Sequence, residues 1–290
     1  MSLSILTNIS AMSTQENLLN SSNAVAKSMQ RLSSGLRINS AADDAAGYAI
    51  SESLTSQTNG LDQAQQNTSD ATAMVQTASS SLTDVTNMLQ RVRELAVQFN
   101  NGTNSTAGSN AIQSEVNQLT NEISREVGAS SFNGTNLLNG TAGAAGVVAF
   151  QVGANQGDTL SATFTSTIGL TSVSVVGTLS MGNGFNWSNM GTAAAVFTLG
   201  GTALTNLDSA ISAIASQAGT LGAIQNRLQY TSDSISSTDT NLASANSSIK
   251  DVNMASEMTA MTQQQILEQA GTAMLAQANS QPQMILKLLQ

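Results

Sequence analysis

A long run of apolar and small side chains, recurring at alternating steps of three and four residues, constrains this 290-residue chain more than any other feature. The run extends from Leu61 to Phe99 without a slip, which predicts a coiled-coil seam on one face of a single helix. At about 1.5 Å per residue that helix is on the order of 58 Å long, so it needs partner helices along its length to bury the seam. The seam positions are Leu61, Ala64, Thr68, Ala71, Val75, Ala78, Leu82, Val85, Leu89, Val92, Ala96 and Phe99.

Two further apolar stripes supply the partners for this helix. The breaker Asn100-Asn101-Gly102 separates the long helix from a second one, and a third stripe lies towards the end of the chain. Three helices packed side by side are the simplest arrangement that buries all three stripes. The predicted fold is therefore mainly α, with a long antiparallel coiled-coil bundle. The stripes contain Ile112, Val116, Leu119 and Ile123 in the second helix, and Leu207, Ile211, Ile214, Ala218, Leu221, Leu228, Ile235, Leu242 and Ile249 in the third.

Between the second and third helices the apolar period changes to two. Alternating apolar residues flank the turn Gly153-Ala154-Asn155-Gln156-Gly157-Asp158, which predicts a small β-hairpin. Glycine is frequent from Gly140 to Gly201, which favours a compact loop or extra strands over a second domain. The alternating residues are Val148, Phe150 and Val152 before the turn, and Leu160, Ala162 and Phe164 after it.

The two ends of the chain have weaker apolar stripes. Neither end contains an aromatic residue, and helix nucleation is costly when little apolar area is buried. We therefore predict that both ends are largely disordered in the monomer and fold only on assembly. The methionines near the C-terminus are best interpreted as adaptable core filling rather than as ligands. The stripes contain Leu18, Val25, Met29, Leu32 and Leu36 at one end, and Met254, Met258, Met261, Leu267, Met274 and Leu275 at the other.

Composition excludes several classes of function. The chain has no Cys and no His, which removes disulfides, thiol nucleophiles, the usual zinc sites and imidazole catalysis, so no cofactor and no enzyme activity are expected. The net charge of −9, with few and scattered basic residues, argues against nucleic acid. No segment is apolar for long enough to insert into a membrane, and no cleavable signal is readable.

Asp43 and Asp44 form the acidic pair that most resembles a chemical site. Ser40 lies three residues before Asp43, so it is expected to cap a helix that begins at Ala41, with both acids in the first turn. Capping is favoured over a metal or catalytic role, because no His or third acid is nearby to complete a site. Ser33-Ser34-Gly35 is expected to separate this helix from the terminal one.

The two ends of the chain resemble bacterial flagellin, the subunit of the flagellar filament. The resemblance rests on LSSGLRINSAADDAAG, from Leu32 to Gly47, and on the last stretch, from Leu221 to Gln290. It implies a structural homopolymer in the extracellular filament, exported unfolded through the flagellar type III apparatus, with an export chaperone and a cap protein as partners. Only a short stretch from Thr178 to Gly200 lacks a counterpart, which implies a short form with almost no outer domains.

The resemblance also implies a division of the chain. Residues 1–40 form an N-terminal filament-core helix and linker, 41–177 a helical bundle with the hairpin, 178–200 a short outer loop, 201–250 a bundle helix and 251–290 a C-terminal filament-core helix. The two ends, distant in sequence, pair with each other and with neighbouring copies. The expected polymerisation contacts are Leu3, Leu6, Ile9, Leu32, Leu36, Leu267, Met274, Leu288 and Leu289.

The segment Gln90 to Gln98 concentrates charge in an otherwise weakly charged helix. Arg91 and Leu95 lie four residues apart on a face outside the seam, where an exposed Leu beside an Arg suits a contact site. The segment looks like the one by which a host Toll-like receptor senses flagellins. The resemblance implies receptor contacts at Arg91, Leu95 and Glu115. Leu119 departs from the family pattern, in which a basic residue is frequent.

Three alternatives remain open at this point. A hook-filament junction protein shares the terminal coiled coils but joins filaments rather than extending them. A secreted enzyme on a flagellin scaffold needs an inserted catalytic domain, and the stretch from Thr178 to Gly200 offers none. A secreted helical effector or adhesin needs no assembly-dependent ends.

Overall fold

The computed structural model describes residues 8–144, 146–164 and 203–288, with side chains described as far as residue 280. This part of the chain is mainly helical, as predicted. Its elements, in chain order, are α1 (Ile9–Ser34), α2 (Ala45–Phe99), α3 (Thr106–Ala129), β1 (Ser131–Phe132), β2 (Thr135–Asn136), β3 (Val147–Gln151), β4 (Thr159–Thr163), α4 (Ala203–Lys250) and α5 (Met254–Leu288).

The chain forms two compact units. The first contains Met1–Thr58 and Thr240–Gln290, and the second contains Asn59–Asp239. The first unit thus joins the two ends of the chain, in agreement with the predicted pairing of distant segments. The outer loop expected at Thr178 to Gly200 lies outside the described residues.

The second unit has its core between α2, α3 and α4. Every predicted seam position of α2 is buried except Phe99, which is half-buried against the same core. Gln65 bonds to Ser232 and Arg93 to Asp208, so low-numbered residues of α2 meet high-numbered residues of α4. These contacts establish that α2 and α4 are antiparallel, and the predicted coiled-coil bundle is confirmed.

A second row of α2 also enters the core of this unit. Met74, Ser81 and Leu95 are buried, and they fall on one seven-residue series alongside the seam. A helix that packs against two partners buries a wider stripe than a helix that packs against one. Arg91 contacts α3 and Arg93 contacts α4, so α2 has a partner on each side.

The predicted hairpin is confirmed in register. Val148 pairs with Ala162 and Phe150 with Leu160 across an antiparallel ladder. Asn67 Nδ2 of α2 donates to the Gln151 carbonyl oxygen at 3.0 Å, so the hairpin lies against α2. A smaller hairpin, β1–β2, was not predicted, although Asn133 and Gly134, both with positive φ, provide the usual sequence signal for a two-residue turn.

In the first unit α1 and α5 form a closely packed helix pair. Asn8 Nδ2, before α1, donates to the carbonyl oxygen of Ala278 near the far end of α5, while Arg31 pairs with Glu257 at its start. The pair is therefore antiparallel. Both helices are formed in the structure, so the prediction of largely disordered ends is corrected, because each helix supplies the face against which the other packs.

Gly60 provides a test of hairpin docking. A Cβ at Gly60 would lie 2.9 Å from Ala154 Cβ in the hairpin turn, whereas Gly219 of α4 has open space. Gly→Ala within a helix normally stabilises by roughly 0.5–1 kcal/mol. We expect Gly219→Ala to raise the free energy of unfolding. The free energy of unfolding of Gly60→Ala should be about 1–3 kcal/mol lower than that of Gly219→Ala. Urea unfolding of the full chain, with amide exchange at the hairpin, measures both.

Amide exchange shows whether a lower stability of Gly60→Ala comes from displacement of the hairpin. If Gly60→Ala displaces the turn, amides of β3 and β4 lose protection, and they keep it in Gly219→Ala. Equal stabilisation by both substitutions would contradict docking of the hairpin on α2.

Candidate assembly site

The α1–α5 pair has a regular but weak seam. Positions facing the partner helix recur at steps of three and four, and all are at least half-buried. Most of them are small or polar, so little apolar surface is removed from water. The seam contains Ala11, Thr14, Leu18, Ser21, Val25, Ser28 and Leu32 in α1, and Glu257, Met261, Gln264, Glu268, Gly271, Leu275 and Ala278 in α5.

Small residues let the two helices approach closely. A Cβ added at Gly271 would lie 3.3 Å from Leu18 Cδ1, which is tighter than ordinary packing. Ser28 of α1 is buried in the same seam. Close approach improves van der Waals packing but does not replace the missing large apolar side chains.

More large apolar side chains lie outside the seam of this pair than inside it. Nine such side chains on α1 and α5 are exposed, from 47% for Leu267 to 72% for Ile9. Nine exposed large apolar side chains on one helix pair make its surface a candidate interaction site. We call these residues the outer apolar set. They are Ile9, Met12, Leu19, Met29, Met254, Met258, Ile266, Leu267 and Met274.

The predicted polymerisation residues divide into three groups. Ile9, Leu267 and Met274 belong to the outer apolar set. Leu32 and Leu36 are half-buried, Leu32 in the seam of the pair and Leu36 after the end of α1. The remaining positions lie outside what the structure describes, since only the backbone of Leu288 is included. Those positions are Leu3, Leu6, Leu288 and Leu289.

The segments that follow α1 and α4 are hydrogen-bonded to each other. Gly35, with φ of 73°, ends α1, and Leu36 bridges antiparallel to Asp251. Arg37 N donates to the Lys250 carbonyl oxygen at 2.7 Å, and Val252 N donates to that of Gly35 at 3.0 Å. We call residues 35–44 and 251–253, joined in this way, the joint.

Arg37 closes the joint with its side chain. Its Nη2 donates to the Ile249 carbonyl oxygen at 2.6 Å, where the last carbonyls of α4 lack helical partners. On the α5 side, Asn253 Oδ1 accepts from Ser256 N and caps the helix. A cation at the end of α4 and a cap at the start of α5 satisfy backbone groups that the break between these helices leaves open.

The predicted cap at Ser40 is corrected. Residues 41–43 form a turn and α2 begins at Ala45, so Ser40 does not cap a helix at Ala41. Asp44 is the cap, because its Oδ1 accepts from Gly47 N at 3.0 Å. Ser40 instead donates its backbone N–H and its hydroxyl to Asp43 Oδ2, both at 3.2 Å. The acids thus have separate structural roles, which the local pattern alone did not distinguish.

Asp43 ties the joint to α1. Lys27 Nζ lies 2.8 Å from Asp43 Oδ1, and Asn39 N donates to Oδ2 at 3.3 Å. The hydrogen bond from Lys27, with smaller contributions from Asn39 and Ser40, lowers the pKa of Asp43 from its ordinary 3.8 to about 2. The carboxylate is therefore ionised at neutral pH in the folded chain.

Arg91 lies at the centre of a second candidate site, on the surface of the second unit. Its Nη2 lies 2.9 Å from Glu115 Oε1 of α3, and its Nη1 lies 3.1 Å from Glu94 Oε2. These hydrogen bonds, Glu115 before Glu94, raise the pKa of Arg91 above its ordinary value. All three side chains remain exposed, so the cluster presents one cation between two carboxylates to solvent.

Leu95 does not belong to that surface. The prediction of an exposed Leu95 is wrong, because its side chain is only 2% exposed and belongs to the core cluster. It falls on the second buried row of α2, which the single-seam interpretation did not include. Leu119, by contrast, is half-buried against the core.

Sequence reasoning missed Lys27, Arg37 and Asn253. A cap signal was available for Asn253, since Asn precedes Ser256 and Glu257 at the start of a helix. No local signal exists for Arg37, whose partner is 212 positions away. Lys27 of α1 pairs with an acid beyond the end of that helix, which periodicity does not reveal.

Neither a metal centre nor a membrane span occurs in the described ranges. No group of three potential ligands among His, Cys, Asp and Glu is close enough there to hold a metal ion. No helix in the same ranges is long and apolar enough to cross a membrane.

The depressed pKa of Asp43 yields a testable pH dependence. Because the folded pKa, about 2, lies below the ordinary 3.8, the ionised Asp43 stabilises the joint above pH 3.8. That stabilisation is lost as the pH falls from 3.8 towards 2. We expect carboxyl NMR titration to give about 2 for Asp43 and a higher pKa in Lys27→Met. An unchanged Asp43 titration in Lys27→Met, with Lys250→Met as control, would contradict the role of Lys27.

Comparison with known proteins agrees with this arrangement of helices. The family model of the bacterial flagellin N-terminal helical region matches residues 5–143. The family model of the bacterial flagellin C-terminal helical region matches residues 204–289. The two matches contain α1 to α3 and nearly all of α4 and α5. They leave residues 144–203 unmatched, a longer stretch than the expected Thr178 to Gly200.

Several relatives match this chain over nearly the full length of both sequences. Flagellin of Halalkalibacterium halodurans is 42% identical over 289 residues, covering 97% of this chain and 98% of the relative. Flagellin of Bacillus subtilis is 41% identical over 300 residues, with the same coverage. The flagellar filament 33 kDa core protein of Treponema phagedenis is 42% identical over 291 residues, again with 97% and 98% coverage. From both end matches and these relatives, the chain belongs to the bacterial flagellin family.

Proposed function

We propose that this chain is a structural subunit that polymerises with copies of itself into the extracellular filament of the bacterial flagellum. Flagellins are structural proteins and not enzymes. The observation that supports polymerisation most directly is the outer apolar set, which lies on the two helices that join the ends of the chain. A second copy of the same helix pair offers equally apolar surface to cover it.

The balance of energies in the α1–α5 pair favours assembly. Ordering the backbone of one residue costs roughly 1–2 kcal/mol, and full burial of a large apolar side chain contributes about 1.5–3 kcal/mol. The seam contains only five large apolar side chains, Leu18, Val25, Leu32, Met261 and Leu275, and all are only half-buried. The pair is therefore weakly held in the monomer, and burial of the outer apolar set between copies stabilises it.

The symmetry of the product follows from the kind of interface. A face that contacts a different face on the next copy does not close on itself and generates a helical polymer. The outer apolar set lies on several sides of the α1–α5 pair rather than on one stripe, which suits contacts with more than one neighbour. We propose a helical tube with these pairs at its core.

The weakly held α1–α5 pair also suits export of the subunit and binding of accessory proteins. A helix pair that opens readily suits passage of an unfolded subunit through the flagellar type III apparatus. We propose that an export chaperone covers the C-terminal apolar residues before assembly. A cap protein at the filament tip would contact the same ends as each subunit folds into place.

Polymerisation is tested by electron microscopy of the full chain, seeded with sonicated filament fragments. We expect long tubes from the full chain and none from a version that lacks Pro282 to Gln290. Leu267→Asp with Met274→Asp should also block elongation, because burying an unpaired charge is costly. The matched pair Leu267→Met with Met274→Leu keeps the apolar character and should elongate faster than the Asp pair.

Amide exchange separates an assembly defect from misfolding. In the monomer we expect faster exchange in α1 and α5 than in α2 to α4, with protection of α1 and α5 in the tube. The truncated chain should keep protected amides in α2 to α4. Full-chain samples that bind to seeds without elongating them would favour the hook-filament junction protein. Full-chain samples that neither bind to seeds nor elongate them would favour a secreted effector or adhesin.

A second candidate function is recognition by a host Toll-like receptor. The exposed cluster of Arg91, Glu94 and Glu115 supports it, because solvent-screened ion pairs of this kind contribute little to stability and can exchange partners. Arg can form paired hydrogen bonds with a receptor carboxylate. Leu95 is buried in the core and is not proposed as a contact.

Receptor recognition is tested with single substitutions at equal monomer concentration. We expect Arg91→Ala and Glu115→Ala each to reduce signalling in a receptor reporter assay by roughly tenfold or more, because each removes one member of the exposed cluster. Arg125→Ala, which removes another exposed ion-paired arginine of this unit, is the control. Leu95→Ala should lower the free energy of unfolding by about 2–5 kcal/mol, so its signalling reports stability. Unchanged signalling by Arg91→Ala would contradict the proposed receptor contact at Arg91.

A further inference from the structure

We infer that five methionines of the outer apolar set are sites of reversible oxidation, and that their oxidation to sulfoxide blocks polymerisation of the subunit. The inference rests on the proposed polymerisation and concerns the regulation of that same site. The five are Met12 and Met29 of α1 and Met254, Met258 and Met274 of α5.

Methionine is concentrated on the helices that form the assembly site. Seven of the 12 methionines lie within α1 and α5, although these helices make up a minor part of the chain. The five named side chains are exposed, from 48% for Met258 to 65% for Met12. An oxidant in solution therefore reaches their sulfur atoms in the monomer.

Among the described side chains, the methionines at the core of the second unit are less accessible to an oxidant. There is no Cys, so no thiol reacts first, and thioether sulfur is the softest nucleophile present. Met74 is only 6% exposed in the core of the second unit, which shields its sulfur. One oxidant thus distinguishes the assembly site from the core of the bundle.

The chemistry is a two-electron oxygen transfer from a peroxide. The methionine sulfur attacks one peroxide oxygen, the O–O bond breaks, an S–O bond forms and the second oxygen leaves as water after proton transfer. Sulfur is oxidised by two electrons, and the peroxide is reduced by the same two. Methionine sulfoxide reductases reverse the change, with a dithiol oxidised to a disulfide and the oxygen released as water.

Oxidation changes the part of the side chain that assembly has to bury. A sulfoxide is polar and accepts hydrogen bonds, so its burial without a donor is unfavourable. The seam of the α1–α5 pair contains none of the five sulfur atoms, and the core of the second unit contains none either. Oxidation should therefore impair contacts between copies while the second unit stays folded.

The experiment uses the full chain as monomer, treated with graded hydrogen peroxide that is then removed. Peptide mass spectrometry measures sulfoxide at each methionine, and seeded light scattering measures elongation. We expect the five named methionines to be oxidised before Met74, and the critical concentration for elongation to rise about tenfold or more as they are oxidised. Treatment with both stereospecific sulfoxide reductases should restore elongation.

Two variants make the assignment specific. In the chain with all five methionines replaced by Leu, elongation of treated and untreated samples should be equal, whatever its own rate. Met74→Leu removes a shielded methionine and should remain as sensitive to peroxide as the unsubstituted chain. Reductase rescue of the unsubstituted chain requires no variant, so it tests the inference even if the fivefold variant does not assemble.

The outcomes separate the two proposals. Equal elongation of untreated chain and of chain oxidised at the five sites would overturn the inference and leave the proposed function standing. Failure of reductases to restore elongation, once mass spectrometry shows that the sulfoxides are gone, would also overturn it. Absence of elongation from untreated chain would overturn the proposed function and this regulation with it.

Discussion

A helix can remove a large apolar side chain from water only where another surface lies against that face, and the two units of this chain meet this requirement differently. In the second unit, α2 packs against both α3 and α4, so its seam and a second row that includes Leu95 are buried. In the first unit, α1 and α5 pack against each other, and the outer apolar set remains exposed. Proposed assembly and proposed oxidation both follow from this difference.

The joint satisfies the backbone groups that the breaks between α1 and α2 and between α4 and α5 leave open. Arg37 bonds the end of α4 through a backbone N–H and a guanidinium, while Asp44 and Asn253 cap the helices that follow. Asp43 adds an ion pair to Lys27 of α1. The segment from Leu32 to Gly47 thus connects helices of the first unit, and within the described residues its acids belong to no group of three potential metal ligands.

The elements with strong periodicity were predictable, because a regular element repeats its environment at a fixed spacing. The α2 seam and the Val148–Ala162 pairing of the hairpin agree with prediction for this reason. The start of α2 was misplaced by four residues, since Ser40 and Asp44 both satisfy a cap pattern and only the fold chooses between them. Leu95 was assigned to the surface because one helix alone does not reveal how many partners it has.

The sequence by itself determined that the chain forms long helices with a two-stranded hairpin, that it lacks the side chains of most catalytic and metal sites, and that its ends resemble flagellin. Those properties depend on residue type and on spacing along the chain. Only the tertiary structure decided which apolar side chains are buried, which acid caps α2 and which carbonyl Arg37 reaches. The burial and the Arg37 contact depend on residues distant in sequence being brought together, and local pattern contains no record of that proximity. The cap is a local contact, and it depends on which of two adjacent cap patterns the folded backbone satisfies.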